Sequence, residues 1–118
     1  MGLFKRRKES RQPVADLDGS SLEVGGSRLA LKEALVAARV EGNGLQVVVY
    51  HPAFADLPDE QRVVASVEIL VATLGQEALR QVVTQVDPAA HPPIDPFGLG
   101  PLREFVRSLG VPIEPAEA

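Results

Sequence analysis

The sequence contains no cysteine and no tryptophan, and only 4% of its residues are aromatic. Without cysteine the chain has no disulfide, no thiolate nucleophile and no sulfur-ligated zinc site, which fits a reducing compartment. No run approaches the ~20 apolar residues that a membrane-spanning helix needs. The N-terminal charges are followed by no hydrophobic segment, so no secretory signal is indicated. We therefore expect a cytoplasmic protein with an aliphatic core.

The chain has 118 residues, the length of one domain, and a formal net charge of −4. The charge is unevenly placed, because residues 1–13 hold five Lys or Arg against one Glu, whereas the rest holds seven against fifteen Asp or Glu. A domain that acidic repels phosphate backbones, so we expect no nucleic-acid partner. The pattern predicts a flexible basic arm over 1–13, a single α+β domain over 14–112 and a flexible acidic tail over 113–118.

The basic arm includes an apolar pair and has two interpretations. A disordered tail is the simpler one. The other is a contact with an anionic membrane surface, in which the apolar side chains enter the lipid and the cations face its headgroups. The residues for that contact are Leu3, Phe4, Lys5, Arg6, Arg7 and Lys8.

Residues 27–41 are the ambiguous segment. Their apolar side chains recur at helical spacing, which predicts a helix capped by Ser27 and ended by Gly42. Asn43-Gly44 is also a two-residue hairpin turn, so two strands over 36–50 are the alternative. The helix is the preferred interpretation because alanine and leucine are strong helix formers.

The remaining elements are indicated by their hydrophobic periods. Residues 22–24 alternate as a short edge strand, and LQVVVY, 45–50, predicts an interior strand with cover on each side. Residues 57–74 predict a largely buried helix, and 76–87 begin as a helical turn and become a strand. Residues 101–109 carry the apolar stripe of a last helix. Together they predict an α+β fold, in which a small sheet of three or four strands packs against about three helices in a single layer pair.

No catalytic motif is present: the chain has no nucleophile elbow, phosphate-binding loop, dinucleotide fingerprint or H-E-x-x-H pair, so we expect no cofactor and no metal. His51 and Glu68 are the candidate catalytic residues. His51 follows the central strand, where open sheets bind ligands, or its ring donates to a backbone carbonyl and orders the following turn. Glu68, on a nearly apolar helix, lies on a narrow exposed stripe, pairs with Arg62 or Arg39, or is a functional acid.

Three local patterns follow one another in residues 47–83. They are a strand that ends in Tyr50-His51-Pro52, a helix start at Leu57-Pro58-Asp59 and a helix end at Leu74-Gly75. This order resembles a pattern in uncharacterised bacterial small-domain proteins, in which a glutamate follows the last glycine. Gln76 takes that place here, so no carboxylate role is carried over. The resemblance implies an α+β fold in a bacterial cytoplasm and no particular activity.

We expect a non-catalytic module that binds or regulates a protein partner through an apolar groove beside the loops 52–58 and 88–101. The second loop is rich in proline, so it loses little entropy on contact. The residues expected at this groove are Tyr50, His51, Phe54, Ile94, Phe97 and Leu99. The apolar load of helix 57–74 also favours a homodimer. Two other functions stay open: a small enzyme that uses His51 with a nearby carboxylate, and a peripheral membrane protein tethered by the basic arm.

Overall fold

The structure, a computed structural model, describes residues 20–113. The strands in this part of the chain are β1 (Ser21–Val24), β2 (Ser27–Ala30), β3 (Leu35–Glu41), β4 (Gly44–Tyr50) and β5 (Val83–Ala89). Its α-helices are α1 (Asp59–Leu74), α2 (Gln76–Val82) and α3 (Leu99–Ser108), and short 3₁₀ helices lie at Leu31–Glu33 and Pro52–Asp56. These elements confirm the predicted α+β fold. The predicted arm over 1–13 and residues 114–118 of the predicted tail lie outside the described residues, whereas Ile113, the first residue of that tail, is 2% exposed and packs in the core.

The strands form two separate sheets. β1 and β2 make a hairpin, and the second sheet has the order β3-β4-β5. β4 pairs antiparallel with β3 and parallel with β5, to which it is connected through α1 and α2. β4 is therefore the central strand, as predicted for LQVVVY. Because β4 and β5 are parallel, their carboxyl ends lie at the same edge of the sheet.

The helix predicted over 27–41 is wrong. The chain there forms β2, a 3₁₀ helix and β3, and β3 turns back into β4 as the hairpin that was the alternative. The turn residues are Gly42-Asn43, one position earlier than expected, and Gly42 has a φ of 58°, which residues with a side chain rarely adopt. Tertiary packing decides the outcome, because strand pairing places Val36 beside Val49 in the core, and this burial outweighs differences of a few tenths of a kcal/mol in helix propensity.

β4 has one buried face and one half-exposed face. The side chains fully buried in the core are Leu45, Val47 and Val49. Those between them are half-buried, namely Gln46, Val48 and Tyr50. The sequence predicts that β4 is covered on both faces, but only one face is fully buried, because the helices pack on one side of the sheet. The opposite side is called the outer face below.

α1 also buries only one side. Its core-facing residues are Ala65, Ser66, Ile69, Leu70, Thr73 and Leu74. Its other side exposes Val63, Val64 and Val67, by 47%, 45% and 38% respectively. The prediction of a largely buried helix is wrong for these valines, because a sheet of three strands is too narrow to surround a helix.

β5 continues through Pro88 to Ala89, past the predicted end of the strand. Proline donates no N–H, and a strand tolerates it where one side has no ladder. β5 meets this condition, since β4 is its only strand partner within residues 20–113. The chain then crosses to the far edge of the sheet, where Phe97 and Val36 exchange two backbone hydrogen bonds of 2.8 Å. α3 follows and packs its apolar stripe on the core, as predicted for 101–109.

Candidate functional site

His51 lies at the end of β4 with both ring nitrogens engaged. The Ala53 N–H donates to Nδ1 at 3.0 Å, so Nδ1 carries no proton and Nε2 carries it. Nε2–H donates to the Ala30 carbonyl oxygen at 2.9 Å. The residue is 2% exposed, and its ring centroid lies 6.1 Å from that of Phe54. The ring therefore links the end of β2 to the 3₁₀ helix after β4, as the second interpretation of His51 predicts. Both ring nitrogens are bonded to backbone atoms inside the protein.

Glu68 lies on the exposed side of α1, which is the first of its three alternatives. The arginines considered as its partners bond elsewhere: Arg62 pairs with Asp59 at 3.2 Å, and Arg39 pairs with Glu41 at 3.0 Å. The His51 ring bonds to backbone atoms alone. The two candidate catalytic side chains therefore do not form a hydrogen-bonded pair in this structure.

The residues expected to line one apolar groove do not share a surface. His51, Phe54 and Leu99 are core residues, at 2%, 0% and 4% exposure. Phe97 is half-buried at the edge of β3, where its backbone pairs. Of this set, Tyr50 on β4 and the 86% exposed Ile94 reach the outer face. The membrane-contact candidates over 3–8 lie outside the described residues.

The outer face consists of three rows of side chains across the sheet, because residues paired on neighbouring strands point to the same side. The strand registers give the rows as Leu35, Tyr50 and Ala89, then Ala37, Val48 and Asp87, then Arg39, Gln46 and Gln85. All nine residues are half-buried or exposed. The face therefore changes from apolar at the carboxyl end of β4 to polar near the hairpin turn.

The polar row is a connected hydrogen-bond chain. Arg39 Nε donates to Gln46 Oε1 at 3.1 Å, and Gln46 Nε2 donates to Gln85 Oε1 at 3.0 Å, so the chain spans all three strands. Arg39 Nη2 also donates to Glu41 at 3.0 Å. A guanidinium has five N–H donors, so these bonds leave donors for a further acceptor. The Arg39 side chain is 70% exposed and offers these donors above the outer face.

A proline-rich loop crosses the outer face and bounds a hollow, called the outer hollow. It encloses about 280 Å³ and is lined by Ala37, Ala38, Arg39, Gln46, Val48, Pro93 and Ile94. The loop is held at its end by the two hydrogen bonds between Phe97 and Val36. Asp95, just before a proline, has a φ of 55°, a left-handed conformation uncommon for residues with a side chain. The loop thus holds Ile94 in water beside the sheet.

Sequence reasoning misses Arg39, Gln46 and Gln85, because a helix over 27–41 places Arg39 away from any sheet. The signal that identifies them is the alternative hairpin over 36–50, in which every second residue shares a face. The third member of the row comes from β5 and has no local signal, since only the parallel register brings it there.

Two classes of site receive no support within residues 20–113. No group of three or more His, Cys, Asp or Glu side chains is placed there to hold a metal ion. In the same part of the chain, no helix has the length and apolar content to cross a membrane.

Comparison with known proteins gives no relative. No protein-family model matches the chain, and no match is found among the curated proteins or the solved structures. The geometry of the described residues is therefore the basis on which a function is assigned to this chain.

Proposed function

We propose that the protein is a binding module whose outer face takes an apolar segment of a partner protein that carries an acidic side chain. The observation that supports this most is Ile94, which is 86% exposed beside an apolar hollow instead of joining the core. A single exposed isoleucine is ordinary on a protein surface. One held on a proline-rich loop above a half-exposed sheet face is suited to anchor a partner.

The apolar part of the proposal concerns the contact made by Ile94 and Val48. Full burial of an isoleucine side chain contributes about 1.5–3 kcal/mol, and Ile94 has most of that surface still in water. The loop is constrained by its prolines and by the pairing of Phe97 with Val36, so little loop entropy is lost when a partner binds. These two features favour a specific contact over a transient one.

The acidic part of the proposal concerns Arg39. It is the one charged residue that lines the outer hollow, and it keeps N–H donors available after its bonds to Gln46 and Glu41. A carboxylate matches a guanidinium in geometry as well as in charge. A partner segment with an apolar anchor and a neighbouring Asp or Glu therefore satisfies both ends of the hollow.

A library of short random peptides displayed on phage tests this function. We expect selection against the full chain to enrich peptides with a large apolar residue near an acidic one. Ile94→Asp is expected to weaken the selected peptides by roughly 30-fold or more, as loss of an interface anchor does. Arg39→Glu is expected to weaken them by roughly 10-fold or more. Titration of labelled peptides, followed by fluorescence anisotropy, measures both.

The control for these variants is Val67→Asp, which changes an exposed valine on the helical side of the sheet. It should leave peptide affinity within about 2-fold, because unrelated surface positions contribute little to an interface. The proposal is refuted if no peptide is enriched above the Ile94→Asp background, or if the selected peptides bind all three variants equally.

Self-association is a second candidate, and one observation favours it. Val63, Val64 and Val67 stay exposed on α1 although the rest of the helix is packed on the core. Sedimentation equilibrium of the full chain tests it: the mass should rise towards that of two chains as concentration increases. A constant monomer mass at all concentrations refutes it.

A further inference from the structure

One side of α1 exposes a row of valines along most of its length, and the exposed Glu68 borders this row. Glu60, Val63, Val64, Val67 and Val71 have the spacing i, i+3, i+4, i+7 and i+11, so their side chains lie on one face of the helix. Three of the valines are 38–47% exposed, and Val71 is half-buried. We call these five residues the α1 stripe.

An apolar depression, called the helix hollow, adjoins the second half of the α1 stripe. It encloses about 370 Å³ between α1, α2 and β5, and its lining residues are Val67, Val71, Gln76, Leu79, Arg80, Val83 and Val86. Arg80 is the charged member of the lining, with a side chain 68% exposed. The α1 stripe therefore has a protruding half at Val63 and Val64 and a recessed half beyond Val67.

We propose that a second copy of the chain covers this surface through a two-fold axis beside Val67. The two α1 helices then run antiparallel, and residue 63 of each copy meets residue 71 of the other. The protruding valines of each copy enter the helix hollow of the other, so one surface complements itself as a two-fold dimer requires. This inference rests on the proposed self-association and adds its surface and its register.

The charges at the ends of the α1 stripe are complementary in this arrangement. Antiparallel pairing about Val67 brings Glu60 to the level of residue 74 of the other copy, next to the start of α2 at Gln76. Arg80 of that copy lines the helix hollow together with Val71 and Gln76, and its own contact with Glu77 is 3.5 Å between exposed groups. A parallel arrangement places Glu60 beside Glu60, which is repulsive.

Pairing through the edge of β5 that faces no strand among residues 20–113 is the competing arrangement, and Pro88 opposes it. A proline inside a sheet has its nitrogen on the open edge, so this edge lacks one N–H donor. In an antiparallel β5 pair centred on Val86, Thr84 of each copy faces Pro88 of the other. Each end of such a ladder therefore loses a hydrogen bond, whereas pairing of the α1 helices is made by side chains and needs no new backbone hydrogen bond.

The absence of cysteine makes a cross-linking test direct, since any introduced cysteine is the only one. Antiparallel helices with axes about 8–10 Å apart bring facing Cα atoms close enough for a disulfide. We expect Val67→Cys to form a covalent dimer on mild oxidation. An equal mixture of Val63→Cys and Val71→Cys should give more dimer than either variant alone. Ile94→Cys, on the outer face, should stay largely monomeric.

Sedimentation equilibrium of substituted chains gives a second readout that does not depend on cysteine. Val67→Asp places two like charges at the two-fold axis and should raise the dimer dissociation constant by roughly 30-fold or more. Glu60→Arg and Arg80→Glu should each weaken the dimer, and the double variant should regain most of the loss. Ile94→Asp is the control, and circular dichroism checks that each variant is folded.

These experiments distinguish failure of the α1 surface from failure of self-association itself. A dimer that Val67→Asp leaves unchanged, or that Ile94→Asp abolishes, overturns the α1 surface while self-association stands. Equal oxidation of Val67→Cys and Ile94→Cys overturns it as well. A chain that is monomeric at every concentration refutes both.

Discussion

Gly44 begins β4 at a place where the start of β5 lies close to its backbone. A Cβ atom added at Gly44 would lie 2.1 Å from Thr84 Cγ2, 2.9 Å from Thr84 Oγ1 and 2.8 Å from the Val82 carbonyl oxygen. The φ of Gly44 is outside the left-handed region, so alanine suits the backbone and the effect of Gly44→Ala is steric. Threonine is stiff at χ1 and the carbonyl belongs to the backbone, so neither neighbour moves easily.

The change in stability caused by Gly44→Ala is the sum of two opposing free energies. Overpacking of a closed site costs about 1–3 kcal/mol, and three contacts this short favour the upper end. Alanine restricts the unfolded chain more than glycine does, which returns about 0.4–1 kcal/mol. We expect Gly44→Ala to lower the free energy of unfolding by about 2 kcal/mol and Tm by roughly 6–12 °C.

Urea unfolding followed by far-UV circular dichroism is the suitable assay, because the chain has no tryptophan and a single tyrosine. Gly98→Ala is the matched control: Gly98 precedes α3 with a φ of −80°, and the one neighbour near an added Cβ is Pro101 Cδ at an ordinary 3.9 Å. That variant should change the free energy of unfolding by less than about 1 kcal/mol, because losing glycine at the helix N-cap and restricting the unfolded chain oppose each other. The loss caused by Gly44→Ala should therefore be larger than that of the control by at least about 1 kcal/mol.

Thr84→Ala in the Gly44→Ala background tests the cause of the effect. It removes both threonine contacts and leaves the Val82 carbonyl, so we expect a favourable coupling free energy of about 1 kcal/mol between the two sites. If Gly44→Ala is as stable as the native chain to within about 0.5 kcal/mol, the contacts of residue 44 with Thr84 and Val82 do not limit its side chain. Additive changes in the free energy of unfolding for Gly44→Ala and Thr84→Ala would also contradict a contact between these two residues.

Three further predictions concern the core and the outer face, all measured by the same urea assay. His51→Ala should cost about 3 kcal/mol, because it leaves a cavity and two part-buried backbone groups without their partners. His51→Asn should recover part of this loss by accepting the Ala53 N–H, and equal losses in the two variants would contradict the capping role. Ser66→Ala should be neutral or stabilising by up to about 1 kcal/mol, because the buried Ser66 hydroxyl has no hydrogen-bond partner among the described residues. Thr73→Val should cost about 1 kcal/mol, because it removes the 2.7 Å hydrogen bond from the Thr73 hydroxyl to the Ile69 carbonyl oxygen. A larger loss of stability for Ser66→Ala than for Thr73→Val would contradict the difference in hydrogen bonding between the two hydroxyls. Ile94→Asp should change stability by less than about 0.5 kcal/mol, since the side chain is 86% exposed, and a larger loss would mean that Ile94 supports the fold.

The candidate site illustrates how far local sequence signals reach. The sequence predicts Ile94 at an apolar binding groove, and the structure places its side chain, 86% exposed, at the outer hollow. The groove around Phe54 and Leu99 fails as a shared surface, because apolar content alone does not separate a side chain that binds a partner from one that fills the core. Arg39 entered the site only through strand pairing.

The sequence by itself determined the elements whose hydrophobic period is unambiguous. LQVVVY is a strand, residues 59–74 and 99–108 are helices close to their predicted positions, and His51 ends its strand in a turn. These elements are predictable because each pattern depends on residues that are close together in sequence. Tertiary structure decided the segment over 27–41, the exposure of the α1 valines and the extension of β5 through Pro88. The first and the third depend on pairing with β4, and for the second, residues 20–113 supply no further strand against which the valines could be buried. In each case tertiary packing outweighs the local preference.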